Sequence, residues 1–224
     1  MISEERLNAL FSEAGKELGY DNVQAEYMAF KDIKVRWQRS YRWANFKVSD
    51  YLSEAPETVM KALCNSLFTK IVGQDDSYPH ELRDWVTAPE FASSNQPVYL
   101  KRSRNLTKST AGEHKDLEDS RRRLLEAGLI DDDPAVYLSW SKEASSRKTG
   151  SCSMLMKVIS ISKHLDRPEV PDHVLDLCLY DQFCNVQRGF DPDGDGGGED
   201  EGRGRGFPQA DEAKEWLLRS DLMM

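Results

Sequence analysis

The stretch PDHVLDLCLYDQFCNVQRG, residues 171–189, constrains the fold more than any other part of the chain. Pro171 opens it, as proline does in a first helical turn whose N–H would have no partner, and the pattern changes character after Gly189, so a helix is expected over about 171–187. At 100° per residue Asp181 and Asn185 fall in the sector of Val174 and Cys178, with Gln182 at its edge. Polar groups therefore interrupt an inward-facing side, and burial tolerates them only when they are hydrogen-bonded. A satisfied core network is the favoured reading and a polar cleft the sharper one.

Other elements follow from spacing. Residues 3–18 place Leu7, Leu10, Phe11 and Leu18 on one side of an amphipathic helix with Ser3 as its N-cap. Pro56 opens a helix to about Val72, with Val59, Met60, Leu63, Cys64, Leu67, Phe68 and Ile71 three and four apart, and Gly73 ends it. Lys115 to Ala127 reads as a helix closed by Gly128, with Leu117, Leu124 and Leu125 inward and mixed charge outward. Ile33–Trp37 and Ala44–Val48 alternate with period two and suggest a hairpin; Val98–Lys101, Val136–Trp140 and Leu155–Ile161 are further strand candidates. Residues 74–96, punctuated by Pro79, Pro89 and then Pro97, read as a surface excursion with a short helix near His80–Val86. A weak echo links VSDYLSEAPETV at 48–59 with ISKHLDRPEVPDHV at 161–174, although strand, proline and helix in that order is a common unit.

The net charge of −9 opposes tight, sequence-independent binding to nucleic acid or an anionic membrane unless a local basic patch overrides it. Cys64, Cys152, Cys178 and Cys184 are widely spaced in apolar or strand-like segments and read as reduced thiols. The first twenty residues lack the pattern of a secretory signal, and no apolar run reaches the roughly 20 residues of a membrane span. Cytoplasmic localisation and no membrane partner are the expectations.

The order RKTGSCSMLMKVISISKHLDRPEVPDHVLDLCLYDQFCNV, residues 147–186, resembles the core of the SprT/YgjP-like zinc metallopeptidases, whose relatives run RWGSCS, strand, Leu, Pro, helix, HExxH. The shared elements are Gly150, Ser151, Cys152 and Ser153, then Leu165, Pro171 and the helix. The resemblance covers about 40 residues closely and, more loosely, 33–71. It implies a minimal zincin-like fold, with the partner cleft at Arg147 and Gly150–Ser153. It also places the family's helix histidines on Asp181 and Asn185, its catalytic glutamate on Gln182 and its loop tryptophan on Thr149. Asn185 offers a neutral amide oxygen where zinc takes an imidazole, and the amide of Gln182 cannot accept a proton from water, removing a general base worth about 10²–10⁴-fold. His80, His114, His164 and His173 all precede Asp181, so none stands downstream as third ligand; Asp211 or Glu212 are the substitutes.

Three further patterns have simpler readings. Asp191, Asp193 and Asp195 before Gly196 imitate an EF-hand start, but the twelfth position is Gly202 in place of a bidentate Glu. Cys178, Asp181 and Cys184 are weak candidates for a different metal, since free cysteines on apolar helix faces act as small hydrophobes. Lys101, Arg102 and Arg104, with Arg147 and Lys148 beside Trp140, form a basic strip for which a solvated, salt-bridged face is the commoner reading.

The expectation is an α+β chain with one small sheet packed on helices: an N-terminal helix (1–20), a zincin-like domain (30–189), a flexible acidic Gly-rich loop (190–206) and a C-terminal helix (207–224). Its expected function is that of a catalytically inactive, metallopeptidase-like binding or scaffold module for a protein or peptide, without cofactor. The alternatives are a zinc-dependent hydrolase with rearranged ligands, with Asp181 and Cys184 as weak metal candidates, and a DNA-associated module.

Overall fold

The computed structural model describes residues 1–73, 78–143, 148–190 and 204–220. These residues form a mixed α+β fold with seven α-helices and two three-stranded sheets. The chain divides into two compact units, Met1–Phe91 and Ala92–Met224, so the boundary falls inside the span 30–189 that the resemblance treats as one zincin-like domain.

In the first unit, α1 (Glu4–Glu17) leads into β1 (Asn22–Met28), β2 (Val35–Arg39) and β3 (Trp43–Ser49), and then into α2 (Glu57–Ile71) and α3 (His80–Thr87). Strand β3 is central, parallel to β1 and antiparallel to β2. Period-two alternation puts Ala44, Phe46 and Val48 on the buried face, and the spacing of α2 turns Val59, Met60, Leu63, Leu67 and Phe68 inward. Phe68 is the hub of the aromatic core, with ring centroids 5.2 Å from Phe46, 5.8 Å from Tyr20 and 6.4 Å from Phe11.

In the second unit, α4 (Pro89–Arg102), which carries the boundary, is followed by α5 (Leu117–Glu126), β4 (Tyr137–Trp140), β5 (Gly150–Ser153) and β6 (Val158–Ile161), then α6 (Asp172–Arg188) and α7 (Ala210–Arg219). Strand β6 is central, parallel to β4 and antiparallel to β5. This is the strand order of the first unit, and the match continues beyond the sheet. An apolar–Ser pair (Val48-Ser49, Ile161-Ser162) leads from each central strand into one 3-10 turn whose leucine, Leu52 or Leu165, is buried. A proline-opened helix follows in both. The echo between 48–59 and 161–174 is thus a repeated topology.

Several expectations need correction. The sheet is not single: β1 is a strand beyond those that the spacing suggests, and residues 98–101 belong to α4, which runs through Pro97. The strand expected over 155–161 begins at Val158, because Met154 to Lys157 make the turn after β5. Of the loop expected over 190–206, residues 191–203 lie outside the described residues, and residues 204–206 make a turn in which Gly204 is buried.

Helix α6 is the organising element of its unit. Val174, Leu175, Leu177, Cys178, Leu179 and Phe183 are each at most 1% exposed, a range of directions that one apolar stripe cannot cover. The one acid among them, Asp176, is bound bidentately by Arg123 of α5, with Nε at 2.8 Å from Oδ2 and Nη2 at 2.6 Å from Oδ1, while the Ser120 hydroxyl donates to Oδ1 at 2.5 Å. Removing one partner of such a pair leaves an uncompensated charge. With Arg123 still 36% exposed, Asp176→Ala is expected to lower unfolding free energy by about 2–3 kcal/mol in urea titrations, and Asp176→Asn by less. A change below about 0.5 kcal/mol would show that the pair does not tie α5 to α6.

Candidate functional site on the polar face of the α6 helix

The structure brings the GSCS segment and the DQFCN positions together. Residues 150–153 form β5, an edge strand with Gly150 opposite Ile161 and Ser153 opposite Val158 on β6. Gly150 lies against α6: a Cβ there would sit 3.2 Å from Gln182 Cγ and 3.1 Å from Ile161 Cδ1. The glycine permits this close approach, and no cleft separates strand from helix at that point. Ser151 is exposed and Cys152 and Ser153 are half-buried, while Arg147 lies outside the described residues.

Asp181, Gln182 and Asn185 are all half-buried at the rim of the apolar face, in place of the inward network that spacing favours. Asp181 has a definite task. Its Oδ1 accepts the backbone N–H of Gly204 at 2.7 Å, six residues before α7. Beside it the Tyr180 hydroxyl donates to the Arg205 carbonyl at 2.8 Å, and the Tyr180 ring packs 5.6 Å from that of Phe207. Gly204 and Gly206 take left-handed φ values of 72° and 90°, which bend the chain back onto the helix. At Gly204 a Cβ would also meet Leu177 Cδ1 and Ala210 Cβ at 3.0 Å. From this turn α7 buries Ala213 and Leu217 in the same core as α6.

The electrostatics suit fastening better than reactivity. Burial pushes the Tyr180 hydroxyl up to about 12, so it stays protonated and remains a donor. The Cys184 thiol is raised, most of all by burial and further by the charge of Asp181, against a hydrogen bond to Tyr180 that pulls it down. Burial alone pushes Cys152 up to about 11. Neither thiol is held as the thiolate that serves as nucleophile or metal ligand.

Other expected site residues are dispersed. Asp211 and Glu212 are exposed on the first turn of α7, and Cys178 is fully buried. His164 contacts Arg167 at 2.8 Å through Nδ1. Trp140, expected beside the basic strip, is 2% exposed with Nε1 donating to Thr110 O at 2.7 Å, so it offers no stacking surface. Asp191, Asp193, Asp195, Gly196 and Gly202 lie outside the described residues. Among the described residues no three His, Cys, Asp or Glu side chains are grouped to hold a metal ion, and no helix is long and apolar enough to cross a membrane. Comparison with protein-family models, with curated proteins and with solved structures finds no match to this chain.

The Gly204–Phe207 turn leaves little trace in the sequence, because the partner of Asp181 is a backbone N–H; the one signal for it is the glycine pair 204 and 206 ahead of Phe207. With a pKa of about 11, Cys152 is expected to alkylate with iodoacetamide at pH 8 about a hundredfold more slowly than an unperturbed cysteine, and to accelerate as pH rises toward 11. Mass-spectrometric labelling rates check this, and a rate equal to free cysteine would contradict the burial described for β5.

Proposed function

We propose that this chain is a non-catalytic binding or scaffold module: a degenerate relative of the SprT/YgjP-like metallopeptidases in which the former zinc-site positions hold the fold together. The observation that carries this reading is the Asp181–Gly204 hydrogen bond, which engages the only carboxylate at the three motif positions in closing the C-terminal segment over α6. The resemblance draws support from the order β5, β6, 3-10 turn, Pro171, α6 and from the packing of Gly150 on Gln182.

The donors at these positions do not fit zinc. Asn185 and Gln182 are neutral amides, and the acids nearest in sequence on α7, Asp211 and Glu212, face solvent. Nothing at Gln182 can take a proton from water near neutral pH, so hydrolysis by a metal-bound hydroxide has no base there.

Elemental analysis of protein purified without added metal, alongside Asp181→Ala, tests the proposal. Less than about 0.1 equivalent of zinc in both proteins is expected, given that catalytic zinc sites use three protein ligands. Stoichiometric metal in the parent protein that is lost in Asp181→Ala would overturn it in favour of a hydrolase with rearranged ligands.

A further inference from the structure

The net negative charge of the chain conceals a local reversal on the first unit. Between residues 31 and 48, Lys31, Lys34, Arg36, Arg39, Arg42 and Lys47 accompany a single acid, Asp32. The same segment exposes three aromatic side chains: Tyr41 is 90% exposed at the β2–β3 turn, Trp43 44% and Trp37 38%. Exposed indoles among guanidinium groups are an unusual use of a surface, since Trp normally finds an apolar environment.

The sheet arranges this chemistry in rows. Register places Gln24, Asn45 and Gln38 side by side across β1, β3 and β2, and the next row is Glu26, Lys47 and Arg36. These residues alternate with the buried Ala25, Phe46 and Val48 and therefore share the outer face, on which Trp43 also lies. A groove of about 520 Å³ runs here, lined by Val35, Arg36, Trp37, Gln38, Asn45 and Lys47. The acids close to the cations make exposed pairs, Arg42 with Asp21 and Lys47 with Glu26, each at 3.3 Å. Exposed pairs of this kind contribute little and exchange readily for another anion.

We propose that the β2–β3 hairpin and its outer sheet face bind single-stranded nucleic acid, with Arg36, Arg42 and Lys47 on the phosphates and Tyr41 and Trp43 stacking on bases. Phosphodiesters complement the charge, unpaired bases complement the exposed rings, and the amide row offers donors and acceptors to base edges. An acidic peptide would use the cations and leave the aromatic faces without a role, and a duplex hides the base faces. The surface lies on the first unit, so this proposal is independent of the reading of α6.

The test is fluorescence anisotropy of the full-length protein with a labelled oligodeoxythymidine of about twelve nucleotides, matched against the duplex, heparin, polyglutamate and anionic vesicles. Saturable single-strand binding that weakens with salt and quenches tryptophan emission is expected. Tyr41→Ala and Trp43→Ala should each lower affinity by about tenfold with an unchanged salt slope, and Trp43→Phe should recover most of it. The pair Arg36→Glu and Lys47→Glu should lower both affinity and slope, with far-UV circular dichroism confirming that each variant folds. Absence of single-strand binding overturns the proposal. So does binding that the two alanine variants leave intact, or polyglutamate, heparin or vesicles bound as tightly as the oligonucleotide, which would mark a general polyanion surface.

Discussion

Helix α6 has to be enclosed on several sides, and the rest of its unit is arranged to do that. Apolar residues at Val174, Leu175, Leu177, Cys178, Leu179 and Phe183 project in too many directions for one partner. Strands β5 and β6 cover one side, α5 a second and α7 a third. Two of these covers are pinned by polar contacts: Arg123 and Ser120 on Asp176 hold α5, and Gly204 on Asp181 and Arg205 on Tyr180 hold the approach to α7. The bonds to the carboxylates of Asp176 and Asp181 are charge-assisted and worth about 1.5–3 kcal/mol each, small beside the apolar burial but directional, so they set where α5 and the approach to α7 sit.

What could be read in the sequence was what leaves a local trace. Helix α6 was legible from Pro171 and its apolar density, α2 from its three-and-four spacing, and the β2–β3 hairpin from alternation on either side of a polar turn. Strand β1 escaped because small Ala25 and half-buried Tyr27 weaken an alternation that only Val23 states clearly. Helix α4 escaped because Pro97, normally a helix breaker, stands inside it. The division into two sheets depends on parallel pairings, β1 with β3 and β4 with β6, which join strands separated by an intervening hairpin strand. Such long-range choices are not encoded in any one segment.

The two units repeat one topology and use it differently. In the first, a polar outer sheet face gathers Arg36, Trp43 and Lys47, whereas in the second the edge strand β5 packs Gly150 onto α6. Net charge averages over this difference, which is why −9 concealed a basic hairpin. The DQFCN positions carry a similar lesson. There the sequence shows polar groups interrupting an apolar helix, while the hydrogen bond from Gly204 shows what one of them, Asp181, does.

That structural role is the central claim, and amide hydrogen exchange with and without zinc addresses it most directly. In Asp181→Ala the amides from Gly204 to Phe207 should exchange faster while Val174 to Leu179 stay protected, and zinc should alter neither pattern in the parent protein. Unchanged exchange at Gly204 in the variant, or zinc-dependent protection of residues 181–185 in the parent, would contradict the account.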